Sequence, residues 1–367
     1  MRIAYVSLHW PRTRHSGVGK KLSRQISLWQ AGGHEARLFM HTSRYEPAAD
    51  LVPAEVIPYD SAGRLGAELA RSRAARRLIA ALRAWHPDVI YLRLAMYVYP
   101  VHRLAEIAPL VGEANTNDLT QHEGLGKIYA IYNRLTRGLL LRRLDGLVAV
   151  SRELAESPAF ASFHKPTRVI ANGIDLETFA PLPPPANTVP HVVFIGHPGY
   201  VWHGVDKLLA LARRLPDIHF DVIGYETVAD GGACPANVCL HGYLTEEAYL
   251  PILGRADAAI SSLALHRIGL EEASPLKSRE CLAYGLPLVM AYRDTDLQDA
   301  GCDCLLQIPN TADNVQTHAE AIRDFAYRMR GRRVDRACVA VIDQPRKEAE
   351  RLAFFEDLIS RRKGTGR

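Results

Sequence analysis

The sequence predicts an α/β protein made of two Rossmann-like domains. Three observations carry that expectation. At 367 residues the chain exceeds what one core usually serves. Short apolar runs alternate with amphipathic helical stretches along its length. Residues 181–190 hold five prolines, a stiff stretch between two such series. With 48% hydrophobic and 23% charged residues, the composition suits a globular chain. It excludes the disordered, collagen-like and disulfide-scaffold classes.

Ile3–Leu8 reads as a buried first strand. After a loop ending Ser16-Gly17-Val18-Gly19, Leu22, Ile26 and Trp29 recur at helical spacing, with Lys20, Lys21 and Arg24 expected outside. Gly32-Gly33 stops that helix, and Ala36–Met40 resumes as a strand, giving a βαβ unit with its parallel pair. Asp88–Leu92 and Gly146–Val150 read as further strands, and Val169–Ala171 runs into the turn Asn172-Gly173-Ile174-Asp175. Beyond the prolines the pattern restarts. His191–Gly196, His219–Gly224, Val238–Gly242, Ala258–Ser261 and Pro287–Ala291 read as strands, Asp206–Leu215 as a helix, and Arg346–Lys363 as a charged amphipathic helix. Two such domains place a ligand at the C-terminal ends of the strands, in the crevice between them.

No run approaches the roughly 18 apolar residues of a membrane span. The first apolar run is too short for a signal peptide, so a cytoplasmic protein is expected. The six cysteines all follow residue 230, and Cys302-x-Cys304 spacing suits neither zinc nor a local disulfide. Buried free thiols of a reducing compartment are expected. The net charge of +5 conceals an asymmetry: residues 1–185 hold 24 Lys and Arg against 16 Asp and Glu, and the remainder 21 against 24.

Two segments carry chemistry. Ser16–Gly19 opens a helix, where glycines let backbone N–H groups approach an anion; a plain βα turn is the other reading. In Gly269–Val289, Glu272 lies in a loop before Pro275, and Glu280 lies eight residues on, in a helix beginning near Pro275. Two hydrogen-bond acceptors on either side of an anion-binding helix start suit a nucleotide-sugar; a solvated helix face is the alternative.

With Ala-Tyr-Gly-Leu-Pro after Glu280, this segment resembles the signature of retaining GT-B glycosyltransferases, specifically glycosyltransferase family 4. Further stretches match in order: the Gly17 loop with Ala31–Glu35, Ala149–Ser151, Ile170–Phe179, Phe194–Gly196 with Trp202–Asp206, and His241–Leu244. The resemblance spans about residues 1–345 and implies two Rossmann-like domains facing each other across a cleft. It implies an acceptor-side domain over 1–183 and a donor-binding domain over 184–344, with the helix at about 345–367 returning to the first.

It further implies that Glu280 binds the donor ribose, Glu272 acts at the donor sugar, and Gly17 lies against the diphosphate. Ser274, Leu276 and Lys277 join the donor site, and no metal or other cofactor is required. Where the family usually places Arg and Lys to grip the diphosphate, this chain has His197 and His203, each readable as structural or as a phosphate contact. Where many members place a His near the donor sugar, it has Asn115 and Asp118 as candidate substitutes. The tryptophan often found before the final helix is missing.

Basic segments cluster in the first half: Lys20-Lys21 with Arg24, residues 71–77, and residues 134–143. They read as solvated helix faces or as docking to an anionic membrane surface. Nucleic acid is not an expected partner, because stacking aromatics are not interleaved with the charges. The expected activity is transfer of a sugar from a nucleotide diphosphate-sugar to a glycan or lipid-linked acceptor hydroxyl. A sugar-nucleotide epimerase and a non-catalytic nucleotide-sugar or glycan-binding module are the rivals.

Overall fold

The computed structural model describes residues 1–8, 17–43, 52, 54–60, 64–119, 126–227, 232–298 and 301–364. The chain divides into two compact units, residues 1–170 with 345–367, and residues 171–344. The division falls before the proline-rich stretch, which packs within the second unit. There the Leu182 N–H donates to Tyr284 O at 3.0 Å, and Arg333 Nε donates to Leu182 O at 3.1 Å. Counted on these units, the charge asymmetry grows. The first holds 31 Lys and Arg against 18 Asp and Glu, a net +13; the second holds 14 against 22, a net −8.

The first unit contains strands β1 (Arg2–Ser7), β2 (Glu35–Thr42), β3 (Ala54–Pro58), β4 (Val89–Arg93), β5 (Leu110–Ala114), β6 (Gly146–Ala149) and β7 (Thr167–Val169). They form one parallel sheet in the order β3-β2-β1-β4-β5-β6-β7. Its longer helices are α1 (Gly17–Ala31), α2 (Arg64–Trp85) and α3 (Lys127–Leu141). Successive side chains of a strand point to opposite faces, and both faces of β1 are covered. Ile3 and Tyr5 pack with Leu22, Ile26 and Trp29 of α1, whereas Ala4 and Val6 pack with Ala74, Leu78 and Leu82 of α2. Lys20 and Arg24 are exposed as expected, but Lys21 is not. It turns inward and lies buried, its Nζ 2.8 Å from Glu113 Oε1 at the end of β5.

The second unit repeats the plan with β8 (His191–Ile195), β9 (His219–Ile223), β10 (Val238–Leu240), β11 (Ala258–Ile260), β13 (Leu288–Met290) and β15 (Leu305–Gln307). Their order is β10-β9-β8-β11-β13-β15, again parallel. A separate two-stranded pair joins β12 (Glu272–Ala273) to β14 (Arg293–Asp294), so Glu272 opens a short strand rather than sitting in a loop. The longer helices are α4 (Val205–Arg214), α5 (Glu246–Arg255), α6 (Leu276–Ala283) and α7 (Ala319–Met329). Val192 and Phe194 pack with Leu208 and Leu211 of α4, and Val193 with Ile252 of α5 and Leu282 of α6.

The last helix, α8 (Gln344–Gly364), packs on the first unit. Trp29 Nε1 donates to Glu348 Oε2 at 2.8 Å, and Arg351 Nε to Tyr91 Oη at 3.1 Å. Phe354 and Leu358 cross β6 at Gly146. A Cβ on that residue would lie 2.5 Å from Leu358 Cδ1, so only glycine admits the approach.

In each unit the strand order reverses beside the central strand, between β1 and β4 and between β8 and β11. Such a switch point opens a crevice at the C-terminal ends of the strands.

Candidate functional site

At the end of β8, the chain turns through Gly196, where a Cβ would lie 2.3 Å from the Tyr225 ring. The Gly196 carbonyl accepts a 2.9 Å hydrogen bond from Lys277 Nζ on the first turn of α6. The His197 N–H donates to His203 Nδ1 at 3.1 Å. That bond settles the tautomer: Nδ1 accepts, so the His203 proton is on Nε2. Burial, reinforced by the Lys277 and His197 charges, pulls the His203 imidazole down to about 4, so it is neutral at pH 7. The His203 ring is thus a neutral donor rather than a cation. Burial also pulls the Lys277 ammonium down to about 8, against the opposing pull of Glu280. His197 is exposed and turns its Nδ1 to Pro198 O, 2.7 Å away.

Lys277 and His203 line a small recess with Phe194, Ser261, Ser262 and Ser278. The recess sits at the β8–β11 switch point. Ser261 and Ser278 hydroxyls are 2.6 Å apart, and both reach Tyr292 Oη, at 2.8 and 2.9 Å. Leu276 opens α6 beside them, and the first N–H groups of a helix have no partner within it. An ammonium, an imidazole N–H, hydroxyls and a helix start surround one hollow. Such a set of donors suits an anion.

Glu280 stands one turn along α6 from Lys277, and its Oε1 accepts the Tyr249 hydroxyl. Burial and the neighbouring Glu280 charge push the Tyr249 phenol far above its ordinary value, so it remains a donor. Neither Glu280 nor Glu272 lines the recess itself. Glu272 is 7% exposed, held where β12 pairs with β14. A buried arginine fixes that pair: Arg279 donates to Asp294 at 2.7 and 2.8 Å, to Asp296 at 3.1 Å and to Asn172 O at 3.0 Å. Ser274 clamps the same turn. Its Oγ accepts the Asn172 N–H at 3.1 Å, and its carbonyl accepts Asn172 Nδ2 at 2.9 Å.

The remaining candidates lie in the first unit. Gly17 begins α1, and residues 9–16 of its loop, with Ser16, lie outside the described residues. At the end of β5, the fully buried Glu113 accepts from Tyr5 Oη at 2.7 Å, Lys21 Nζ at 2.8 Å and Arg93 Nη1 at 3.3 Å. Burial alone would raise the Glu113 carboxyl; Lys21, Arg93 and Arg351 override it and hold the group well below the usual carboxylate range. Lys21 also donates to Asn115 Oδ1 at 3.1 Å. A lysine only donates, so the oxygen of that amide faces it and Nδ2 points away, buried and without a partner among the described residues. Asp118 is held by Arg137 through two 2.7 Å bonds and by Asn133 at 2.8 Å. Asn115, Asp118, Tyr97 and Arg137 line a second small recess.

Sequence reasoning passed over Tyr249, Arg279, Ser261 and Tyr292, whose partners come from other elements. It also misjudged the thiols: only Cys281 and Cys304 are buried, and Cys234 is exposed. The sulfurs of Cys302, Cys304 and Cys338 lie within 4.8 Å of one another, where spacing had offered no cluster. Cys304 sits at the start of β13, where its carbonyl accepts the Leu288 N–H at 2.9 Å.

Comparison with known proteins bears on the fold. Residues 16–178 match the family model described as Glycosyltransferase Family 4. No curated protein sequence matches the chain. Among solved structures, the lipopolysaccharide outer core galactosyltransferase WaaB in its apo form is 13% identical, with a TM-score of 0.68 over 97% of this chain and 100% of that one. Sucrose-phosphate synthase from Thermosynechococcus elongatus is 14% identical, with a TM-score of 0.63 over 98% and 99%. HepE from Anabaena, in complex with UDP and glucose, is 15% identical, with a TM-score of 0.62 over 97% and 100%. At such identities the likeness speaks for the fold alone: two Rossmann-like units, as in the GT-B fold.

Proposed function

We propose that the protein is a retaining glycosyltransferase that moves a sugar from a nucleotide diphosphate-sugar to an acceptor hydroxyl. One observation carries the reading: Lys277, the His203 Nε2–H and the start of α6 converge at the β8–β11 switch point, with Glu280 one helical turn beyond. The diphosphate lies at the mouth of the recess, where ammonium, imidazole N–H and helix start offset its charge. Leu276 contributes backbone N–H at the helix start, and His197 borders the entrance. Glu280, oriented by Tyr249, accepts the ribose hydroxyls. Glu272, held by the Arg279 cluster beneath Ser274, serves the donor sugar.

The bond from the sugar's anomeric carbon to the diphosphate breaks as the acceptor oxygen bonds to that carbon on the same face. The acceptor proton passes to the leaving phosphate oxygen, and the products are a glycoside and a nucleoside diphosphate. The Lys277 and helix-start charges do the neutralising, so the reading calls for no metal. Asn115 presents its Nδ2 to a sugar hydroxyl, Asp118 positions the second recess through Arg137, and Gly17 lies at the diphosphate. A glycan or lipid-linked intermediate of cell-surface polysaccharide or glycolipid synthesis is the acceptor. The net +13 of the first unit supports work in the cytoplasm, at the inner face of a membrane.

A thermal-shift panel of UDP-, GDP- and dTDP-sugars tests donor binding, because a ligand of the native state raises apparent stability by mass action. Product analysis with and without acceptor follows. Turnover without acceptor would point to an epimerase, and binding without turnover to a binding module. Activity intact in both Glu272→Gln and Glu280→Gln would overturn the assignment of the site.

A further inference from the structure

Helix α3 is apolar on the side that faces away from its own unit. Asn133, Leu140 and Leu141 are buried. Arg137 is bound to Asp118 and to Ala159 O, so that side of the helix is anchored, and Tyr132, at the margin of the other side, donates its Oη to Tyr97 O at 3.1 Å. At about 100° per residue, Ile128, Ile131, Leu135 and Leu139 fall on one stripe roughly opposite Asn133 and Leu140. Their exposures are 76%, 58%, 76% and 47%. Single exposed apolar residues are ordinary, but a four-residue stripe in helical register is a surface for something apolar.

The charges around the stripe choose between occupants. Lys127 and Arg134 are exposed on the helix, and Arg142 and Arg143 are exposed just past its end. Residues 126–143 contain no acidic side chain. Glu68, whose charge bears on Tyr132, is ion-paired to Arg71 at 2.7 Å, and Asp118 is committed to Arg137. In a two-fold contact between copies of this chain the same patch would meet itself, setting these cations against one another. An anionic lipid surface satisfies both features at once, cations at the phosphates and the stripe at the acyl boundary. No helix among the described residues is long and apolar enough to cross a membrane, so α3 would lie in the surface plane.

We propose that α3 docks the protein on an anionic bilayer, with Ile128, Ile131, Leu135 and Leu139 seated in the headgroup–acyl boundary. The claim is independent of the transferase reading, because it is read from binding alone. The test is co-sedimentation of the full chain with phosphatidylcholine vesicles, with and without phosphatidylglycerol. The wild type should partition to the anionic vesicles and keep part of that binding in high salt. Ile131→Glu with Leu135→Glu removes exposed side chains only, so its melting temperature and its donor-induced thermal shift should match wild type. Its vesicle partition should fall by about tenfold or more per site. Arg134→Glu with Arg142→Glu should weaken binding by about fivefold per charge removed, and mainly at low salt. The proposal is overturned if wild-type protein ignores anionic vesicles, or if the Ile131→Glu, Leu135→Glu protein sediments like wild type. It is also overturned if wild-type protein is a dimer in solution that those two substitutions convert to a monomer, since the stripe is then an interface between copies.

Discussion

Both units place a lysine near the C-terminal end of a sheet, and they treat it in opposite ways. Lys21 meets a carboxylate inside its own unit, with Glu113 2.8 Å away, and a buried amide oxygen takes another of its hydrogens. The Lys277 ammonium meets a carbonyl oxygen, that of Gly196, and borders an open recess. The first lysine is part of a closed network that includes Tyr5 and Arg93. The second retains charge directed at a hollow. Residue type is therefore no guide to surroundings here: the fold gives Lys21 a carboxylate partner and Lys277 a carbonyl oxygen.

The comparison can be broken by exchanging the expected losses. Lys21→Met leaves Glu113 buried with less compensation and should cost stability by about 3–5 kcal/mol. Chemical denaturation reads that loss, while donor affinity in the surviving folded protein should be unchanged. Lys277→Met should do the reverse. It removes a desolvated charge, so stability should hold or rise, while calorimetric affinity for a nucleotide diphosphate-sugar falls by about 2–3 kcal/mol, the worth of a hydrogen bond to a charged group. Equal effects of the two substitutions on both readouts would erase the distinction.

A pH series sharpens it. In the folded protein the Lys277 ammonium loses its proton near pH 8, below an ordinary lysine. Anion binding needs that proton, so donor affinity should be flat from pH 6 to pH 7.5. It should then weaken by about tenfold per unit as pH climbs past 8. His203, neutral until about pH 4, adds no step between. Lys277→Arg should flatten the alkaline limb; a limb that persists in that variant belongs to another group.

Smaller effects follow further along α6. Glu280→Gln keeps the shape but weakens acceptance of hydroxyls, and should raise KM for the donor by about tenfold with a lesser change in kcat. Tyr249→Phe removes only the hydroxyl that orients Glu280 and should cost about fivefold or less, its effect vanishing in the Glu280→Gln background. Independent, additive losses would mean that Tyr249 does not act through Glu280.

Much of the architecture was legible because buried parallel strands advertise themselves. Ile3–Val6 and Val192–Phe194 are covered on both faces, so they read as unbroken apolar runs. The edge strands β3 and β15 were not legible. Only Ile57 of β3 and none of β15 is buried, which leaves no pattern to read. At the candidate site, Lys277 and Glu280 were visible as neighbours one turn apart on a helix whose start Pro275 marks. The Glu272 strand was not, because its two residues pair with β14 through an arginine whose carboxylates lie 15 and 17 positions further on.

What the sequence determined by itself is the order of βα units, the helix after Pro275 and the uneven distribution of charge, since periodicity, capping residues and composition are local quantities. Only the tertiary structure decided where each charge points. Lys21 and Lys20 are adjacent in the chain, yet one is buried against Glu113, 92 positions away, and the other faces water. The same holds for the proton on His203, assigned by a backbone N–H, and for the apolar stripe of α3, whose outward direction depends on what its other side grips. Those outcomes depend on groups brought together by folding, and a carboxylate beyond the reach of any helical period leaves no mark on the residues beside its partner.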